Sequence, residues 1–364
     1  MDPKLLKNID YGILIIVILI FLFSILIISS ATHATSSGNL HYMKSQVMWM
    51  CVGLIAMFIM VIIDYHSLAN WAYIIYALNI GALALVIFLG NDRLGAQRWI
   101  SIGPFGFQPS EFAKIAVIVS LATILDKKRA VTGIKDLLSV LLHVAVPMFL
   151  IMKQPDLGTS LVLLAVLMGL LFVSGIPQKI MAGIIAAGIL SLPVLWNYLE
   201  DFQKKRLLTF INPNLDPLNS GYHVIQSKIA IGSGKLFGKG IFKGTQNQLD
   251  FLPEQHTDFI FAVLGEELGF IGGMLLFALL FGLIYKTLII AYKARNPLGT
   301  YMVTGVATMW TFQILVNIGM TLGIMPITGI PLPFMSYGGS SLIMNMMAVG
   351  LVLNVGMRRQ KILF

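Results

Sequence analysis

Residues 250–273 read DFLPEQHTDFIFAVLGEELGFIGG and decide how the rest of the chain is interpreted. They hold five of its 16 carboxylates, namely Asp250, Glu254, Asp258, Glu266 and Glu267. Asp258 directly precedes the apolar run 259–264, where a loop is expected to enter a helix of membrane-spanning length. An ionisable group at such a boundary is costly to remove from water and usually marks a functional site. The stretch therefore predicts an acidic site at the end of a membrane helix.

The composition of the whole chain is that of a membrane protein. Hydrophobic residues make up 57% of the 364 residues and charged residues only 11%, whereas soluble domains carry about 25% charged residues. A globular protein cannot bury that much apolar surface, so lipid must solvate much of it. We therefore expect an all-α polytopic membrane protein. The net charge of +9 is interpreted as an uneven distribution of Lys and Arg among the loops, since no basic run is interleaved with aromatics as in nucleic-acid binders. The single cysteine, Cys51, excludes an intrachain disulfide.

Apolar segments of spanning length recur, and we predict ten transmembrane helices in a single domain that covers residues 1–364. The segments are 12–31, 47–63, 68–89, 112–125, 137–152, 159–175, 180–199, 268–291, 301–320 and 340–357. With both termini in the cytoplasm, the inside segments carry 13 Lys and Arg residues and the short outside loops carry 4. This bias predicts cytoplasmic N- and C-termini and an outward-facing loop at about 200–258.

The outer loop 200–258 is the largest segment outside the predicted helices. Residues 222–231 place Val224, Ile225 and Ile229 on one face, which predicts a short amphipathic helix on the membrane surface. Five glycines between 232 and 244 then predict a flexible stretch. Their spacing matches neither dinucleotide-binding nor P-loop motifs, so it indicates no nucleotide site.

Two charged residues enter the predicted fourth span. Glu111 and Lys114 are three residues apart and share one helix face, with Ser110 as the predicted N-cap. They could be an ion pair that only allows both groups to enter the membrane, or they could line a functional cavity, and the sequence alone leaves both open.

The other polar motifs have structural interpretations beside functional ones. Asp156 opens the sixth span and is explained by an N-cap role. Asp258 could be stabilised by the helix dipole alone, or it could be catalytic. The run of residues 204–206, which includes Arg206, lies on the outer face and could hold an anionic head group or simply be solvated. His256 has no second ligand at a spacing typical of zinc sites.

Several motifs together resemble the SEDS family (shape, elongation, division and sporulation). They are GAQRWI at 95–100, QPSEFAK at 108–114, QPDLGT at 154–159, RLLTFINP at 206–213, GYHVIQSKIA at 221–230, GTQNQLDFLPEQHTDFIFAVLGEELGF at 244–270 and PFMSYGGSS at 333–341. The match runs in order over nearly the whole chain. The motif at 244–254 and the absence of long cytoplasmic tails are more similar to the elongation members than to the division members.

The resemblance implies a bacterial peptidoglycan glycosyltransferase that polymerises lipid II in the cytoplasmic membrane. It also implies ten spans, a large outer loop between spans seven and eight, and a class B penicillin-binding protein as partner. A divalent cation (Mg²⁺ or Mn²⁺) is left open, the metal site is unknown, and no organic cofactor is expected.

The family's essential acid falls on Asp258, which we expect to be the general base of an inverting displacement that releases undecaprenyl diphosphate. Its acid–base pair falls on Glu111 and Lys114. Several relatives carry an arginine two residues before Gln108, where this chain has Gly106. Phosphate contacts are therefore expected from Arg98 or Arg206, and Gln226 and Lys228 complete the expected substrate-binding set.

Two further functions are compatible with parts of the pattern. A transporter that flips lipid II would also use intramembrane charges and a lipid substrate. A scaffold that only binds a partner would explain the hydrophobicity, but it would not explain the carboxylate-rich outer loop. Polymerisation of lipid II by purified protein separates the enzyme from both.

Overall fold

The structure, a computed structural model, describes residues 8–33, 39–93, 96–102, 105–128, 133–216, 220–252 and 254–358. Helices dominate it. In chain order they are α1 (Tyr11–Ala31), α2 (Asn39–Ile62), α3 (Tyr65–Asn70), α4 (Ala72–Leu89), α5 (Pro109–Lys128), α6 (Ile134–Lys153), α7 (Leu157–Val173), α8 (Gln178–Tyr198), α9 (Asp201–Ile211), α10 (Ser220–Gly234), α11 (Thr245–Gln248), α12 (Ile260–Tyr292), α13 (Pro297–Thr321) and α14 (Gly339–Met357). The all-α membrane fold predicted from composition is confirmed.

Eight of these helices are long and apolar enough to cross a membrane: α1, α2, α4, α6, α8, α12, α13 and α14. The chain is therefore a multi-pass membrane protein. The other two predicted spans fall on α5 and α7. Helix α7 has only 17 residues, and α5 is buried along most of its length, including Glu111 and Lys114. Helices that pack inside a bundle need less apolar surface than helices that face lipid, and the total of ten spans stays a prediction.

Helix α1 and the long C-terminal part of α12 run antiparallel across the bundle. At one end the Lys286 Nζ lies 3.1 Å from the Asp10 Oδ1. At the other end the Ser30 hydroxyl donates to Glu267 Oε1 at 2.5 Å. The first contact fixes the register of the pair, and the second ties α1 to residues 260–268, which precede a break in α12. Helix α8, in contrast, has no buried residue and lies at the edge of the bundle.

The connection between α4 and α5 contains a small antiparallel sheet that the sequence analysis did not predict. Its strands are β1 (Asn91–Arg93), β2 (Ala96–Ile102) and β3 (Phe105–Phe107), in the order β1-β2-β3. Strand β2 carries Arg98, whose guanidinium donates hydrogen bonds to the backbone oxygens of Gln154 and Pro155. The sheet therefore holds Arg98 against the start of α7.

Helix α10 is where residues 222–231 were predicted to form a helix on the membrane surface. The helix is present, and one side of it packs on the bundle. Val224 and Ala230 are buried, and the Ser227 hydroxyl donates to the Thr321 oxygen of α13 at 2.7 Å. Close packing of Gly234 on the Gly265 oxygen of α12 excludes a side chain there. Val224 of the predicted face packs on other helices, whereas Ile229 is 45% exposed, and contact of that exposed side with the membrane surface stays a prediction.

Candidate functional site

Helix α12 changes direction sharply at Gly269, which has φ 65° and ψ −160°. Residues 260–268 form a short helix and residues 270–292 form the membrane-spanning part. The Phe261 ring lies 3.7 Å from the position of a β-carbon on Gly273, although the two residues would be about 18 Å apart along a straight helix. The short helix therefore folds back beside the first turns of the span. We call residues 260–268 the re-entrant helix, and Asp258 precedes it.

The backbone around Asp258 is tied to the loop between α13 and α14. The Asn317 side-chain amide donates to the backbone oxygen of Asp258 at 3.0 Å and to the backbone oxygen of Ile330 at 2.8 Å. The Ser336 hydroxyl donates to the Thr257 oxygen at 2.6 Å, and the Tyr337 N–H donates to the His256 oxygen at 2.9 Å. Three of these hydrogen bonds hold the backbone of residues 256–258, one from Asn317 on α13 and two from the loop that precedes α14.

The Asp258 carboxyl is half-buried and faces Gly329. A β-carbon on Gly329 would lie 3.4 Å from Asp258 Oδ2 and 3.8 Å from Arg206 Nη1, so both side chains flank this glycine, whose φ is +71°. Among the described residues no ion pair or hydrogen bond engages the carboxyl itself. Burial, with the nearby Glu254, raises the pKa of Asp258 to about 6, against the opposing effect of Arg206 and Arg98. Such a carboxylate is a stronger base than an ordinary aspartate and is ionised at neutral pH.

Two arginines lie near this carboxyl and make its surroundings positively charged. Arg206 lies on α9, with its guanidinium carbon 5.6 Å from the centre of the Phe202 ring. Arg98 Nη1 lies 3.8 Å from Asp156 Oδ1. Both arginines line a small cavity of about 20 Å³ with Thr328, which is room for about one water molecule. The pKa of Arg206 is lowered by burial, partly offset by Asp258, which is expected where a cation is held ready for an anionic ligand.

Asp156 connects this cluster to the buried ion pair on α5. As predicted, it caps α7 by accepting a hydrogen bond from the Thr159 N–H at 3.1 Å. Its other oxygen accepts from the Ser110 hydroxyl at 3.4 Å. Ser110 was predicted to cap α5, but α5 starts at Pro109 and the Ser110 side chain points to Asp156 instead. Because proline is favoured at the first helical position and the helix already begins at Pro109, Ser110 lies inside the first turn and is not the N-cap.

Glu111 and Lys114 follow Ser110 on α5 and are almost fully buried. Lys114 Nζ lies 2.8 Å from Glu111 Oε1, with side-chain exposures of 1% and 4%. The second carboxyl oxygen, Glu111 Oε2, has no hydrogen-bond partner among the described residues. A buried charge pair with an unsatisfied oxygen contributes little to stability. The geometry therefore favours a binding role over the purely structural alternative.

The structure brings together three of the seven predicted site residues. Asp258, Arg206 and Arg98 lie around one cleft beside Gly329 and Thr328. Glu111 and Lys114 follow Ser110 on α5, and Ser110 contacts Asp156 beside Arg98, but no direct contact of the pair with Asp258 or the arginines is found among the described residues. Whether these residues act on a substrate stays a prediction. Gly106 has no side chain that could contact a phosphate, and its backbone oxygen accepts a hydrogen bond from the Ser340 hydroxyl at 3.3 Å.

The remaining two residues lie on α10. Lys228 is exposed and packs over Gly323 in the loop after α13, and Gln226 is half-buried. No contact of either with Asp258 or the arginines is found among the described residues.

Two residues near Asp258 were not predicted as site residues. His223 on α10 has its ring centre 5.9 Å from that of Phe259, and its pKa is lowered by burial and by Arg206. Glu254 adopts a positive φ of 46° and contributes to the raised pKa of Asp258. Both lie inside motifs quoted above, so the signal was present, but periodicity does not reveal which residues of a loop converge.

A metal site is not evident from the side chains. Within the part of the chain that the structure describes, no group of three or more His, Cys, Asp or Glu side chains could hold a metal ion. The oxygens of Asp156 are already engaged by Thr159, Ser110 and Arg98. Asp258 is then the one carboxylate in the described part of the cleft whose oxygens are not engaged, and the positive charge there comes from Arg98 and Arg206.

The chain is similar to several known proteins over almost its full length. Residues 10–361 match the FtsW/RodA/SpoVE family, described as cell cycle proteins. The peptidoglycan glycosyltransferase MrdB of Escherichia coli (strain K12) is 40% identical over 354 residues, which is 97% of this chain and 95% of MrdB. Stage V sporulation protein E of Bacillus subtilis (strain 168) is 37% identical over 357 residues, covering 95% of this chain and 96% of that protein.

Two solved structures share the fold. The rod shape determining protein RodA of Thermus thermophilus superposes with a TM-score of 0.74 at 30% identity, covering 97% of this chain and 98% of that one. A chain of a peptidoglycan synthase complex, studied for the structural coordination of polymerization and crosslinking, superposes with a TM-score of 0.84 at 31% identity. That match covers 97% of this chain and 99% of the other.

Proposed function

The chain belongs to the FtsW/RodA/SpoVE family of cell cycle proteins, and on that premise we propose that it is a peptidoglycan glycosyltransferase. Its substrate is lipid II, a disaccharide peptide on a polyprenyl diphosphate, which it polymerises into glycan strands during cell elongation. The similarity to MrdB over 97% of the chain supports the activity. The observation that carries the site assignment is the half-buried Asp258 carboxyl beside Arg206.

In the proposed reaction Asp258 is the general base. Its carboxylate removes the proton from the 4-hydroxyl of the acceptor sugar as the oxygen attacks the anomeric carbon of the donor. The bond from that carbon to the diphosphate breaks, and undecaprenyl diphosphate leaves with the electron pair. One base and no covalent intermediate mean inversion at the anomeric carbon. A positioned base contributes about 10²- to 10⁴-fold to the rate.

The charge that develops on the leaving diphosphate needs cations held in place before the reaction. Arg98 and Arg206 supply them in this proposal, because both line the cleft and their planar guanidinium groups bind phosphate oxygens in pairs. Lys114, held by Glu111, is the third binding group. Gln226 and Lys228 contact the sugars or peptide of the substrate as it enters the cleft. A divalent cation, Mg²⁺ or Mn²⁺, would arrive with the substrate diphosphate.

Orientation and partnership complete the proposal. The termini lie in the cytoplasm and the cleft faces outward, as the distribution of Lys and Arg supports. The structural neighbour from a peptidoglycan synthase complex supports a partner that crosslinks the glycan, and we propose a class B penicillin-binding protein.

The test is glycan synthesis from lipid II by purified full-length protein, comparing wild type with Asp258→Asn. Asn keeps the shape of the side chain and removes the base, so we expect an inserted, folded protein that makes no polymer. Asp201→Asn is the matched control, since the Asp201 side chain is 97% exposed in the same outer segment and its replacement should leave the rate unchanged. Undiminished polymer from Asp258→Asn would remove the base assignment.

The same assay separates the enzyme from a lipid II flippase. In detergent there are no two compartments, so a polymerase makes glycan and a flippase makes none. Adding a chelator tests the divalent cation, because polymerisation that is unaffected by it would exclude a required metal.

A further inference from the structure

The break at Gly269 leaves unpaired backbone groups at the end of the re-entrant helix and at the start of the span. Loop 235–248, which follows α10, pairs several of them. Its Lys239 and Gly240 N–H groups donate to the Glu266 and Glu267 oxygens at 3.0 and 2.9 Å. Its Lys235 and Leu236 oxygens accept from the Phe270 and Ile271 N–H groups at 2.8 and 3.1 Å. The stretch that the sequence suggested would be flexible is thus the cap for both helix ends.

The side chains at the break repeat this arrangement. Glu266 is fully buried and its carboxylate binds Lys239 Nζ at 2.7 Å, the Gln246 N–H at 3.0 Å and the Asn247 N–H at 3.3 Å. Gly244 allows the loop to approach, because a β-carbon there would lie 2.8 Å from Glu266 Oε2. The Thr245 hydroxyl also donates to Glu266 Oε1 at 3.2 Å, so one buried carboxylate holds the loop at four points.

The neighbouring Glu267 extends the contact to the first transmembrane helix. Its Oε1 accepts from the Ser30 hydroxyl on α1 at 2.5 Å. The same hydroxyl accepts from the Phe242 N–H at 3.1 Å, and the Ser30 oxygen accepts from Asn247 Nδ2 at 3.1 Å. Glu267 is completely buried, and its Oε2 has no partner among the described residues. Ser30 thus joins α1, loop 235–248 and the re-entrant helix.

We infer that Glu266, Glu267, Lys239 and Ser30 form a latch whose role is to position the re-entrant helix, and with it Asp258, for glycosyl transfer. The inference rests on the proposed function and adds residues that do not touch the substrate. Asp258 and the latch lie at opposite ends of residues 258–267. Because Gly269 interrupts the helix, the angle of the re-entrant helix is not fixed by its own hydrogen bonds, and the loop and α1 must hold it.

A latch for positioning differs from an ordinary structural contact in what its loss should do. Two buried carboxylates with an unpaired oxygen are a poor way to stabilise a fold, since their desolvation offsets most of their attraction. Misplacement of a catalytic group by about 1 Å can cost on the order of 100-fold in rate without unfolding the protein. The loss should therefore appear in turnover and in the surroundings of Asp258.

The experiment uses full-length protein with Lys239→Met and Ser30→Ala. Lys239 is partly exposed, so methionine keeps its length and removes the ion pair with Glu266 together with the hydrogen bond to the Thr245 hydroxyl. Lys239→Arg is the conservative variant that should restore the pair. Lys243→Met is the control, because Lys243 is an exposed lysine of the same loop with no ion pair among the described residues.

We expect Lys239→Met and Ser30→Ala to lower kcat for lipid II by roughly 10- to 100-fold with KM within about 2-fold of wild type. The acid limb of the pH–rate profile should move to lower pH, since a looser re-entrant helix exposes Asp258 to water. Lys239→Arg should recover both values. Unchanged kcat, or a reduced kcat with an unmoved acid limb, would overturn the latch.

A second measurement does not depend on activity. In a Cys51→Ala background, Asp258→Cys carries the only thiol of the chain and reacts with a polar maleimide at a rate set by its exposure. Lys239→Met should raise that rate at least about 5-fold, because the thiol becomes more exposed when the re-entrant helix is looser. Lys243→Met should leave the rate unchanged. Equal rates would refute the latch, whereas a wild type that makes no glycan while the rates differ would refute only the proposed function.

Discussion

The acid side of the pH–rate profile should report the ionisation of Asp258. Burial and Glu254 raise the pKa of this carboxyl from 3.8 to about 6. Only the ionised form can accept a proton, so kcat/KM should be level at neutral pH and fall about tenfold for each pH unit below the pKa. An aspartate with its ordinary pKa would keep full activity two units further into acid.

Two substitutions should move this limb in opposite directions. Glu254→Gln removes a negative charge that favours the protonated form, so the pKa of Asp258 falls and the limb moves to lower pH. Arg206→Met removes a positive charge that favours the ionised form, so the pKa of Asp258 rises and the limb moves to higher pH. Arg206→Met should also lower the plateau, because Arg206 is proposed to bind the diphosphate, whereas Glu254→Gln should not.

The same ionisation affects stability with a definite sign. The folded-state pKa of Asp258 is above its unfolded value, so the contribution of this group is fully present below pH 3.8 and is lost as pH rises through about 6. A neutral Asn lacks that penalty. Asp258→Asn should therefore be more stable than wild type at pH 7.5 by about 3 kcal/mol at most, and the difference should vanish near pH 4.

The shift of the acid limb and the difference in stability can both be measured on detergent-solubilised protein. The first needs initial polymerisation rates from pH 4.5 to 8, and the second needs thermal unfolding at pH 4 and pH 7.5. If Glu254→Gln and Arg206→Met shift the acid limb in the same direction, or neither shifts it, Asp258 is not the group that titrates. If Asp258→Asn unfolds at the same temperature as wild type at pH 7.5, the Asp258 carboxyl of the wild type is hydrated, and its pKa is not raised.

Two further predictions concern groups around Asp258. Gly329→Ala should lower polymerisation, because an L side chain is strained at a φ of +71° and the shift that relieves this strain would move the backbone beside Asp258. Gly188→Ala in open space on α8 should leave the rate unchanged and raise helix stability by up to about 1 kcal/mol. A fully active Gly329→Ala would show that the cleft tolerates the methyl. For the buried pair, Glu111→Leu or Lys114→Leu alone should cost about 3–5 kcal/mol in thermal unfolding. The double variant should regain most of that stability yet stay inactive, and a double variant with full activity would make the pair purely structural.

Much of the fold follows from the sequence because lipid imposes length and apolarity on each helix. The membrane helices and the Asp156 cap were predictable for that reason. The reversal at Gly269 was not, since a mostly apolar stretch of 33 residues is typical of one long helix. What ends the re-entrant helix is backbone pairing with loop 235–248, and pairing between segments about 30 residues apart leaves no periodic signal. The same limit explains why Ser110 was assigned as a cap.

The reversal also explains how an acid on a loop can serve a lipid-linked substrate. In a straight helix Asp258 would stand about 18 Å beyond Phe270, at a rise of 1.5 Å per residue. The polyprenyl tail must stay in hydrocarbon, so the diphosphate and the anomeric carbon attached to it lie at the membrane surface. A base so far above that surface could not share a hydrogen bond with the attacking hydroxyl. Folding residues 260–268 back on the span, with Phe261 beside Gly273, brings Asp258 toward the first turns of that span, which is where the proposed reaction needs its base.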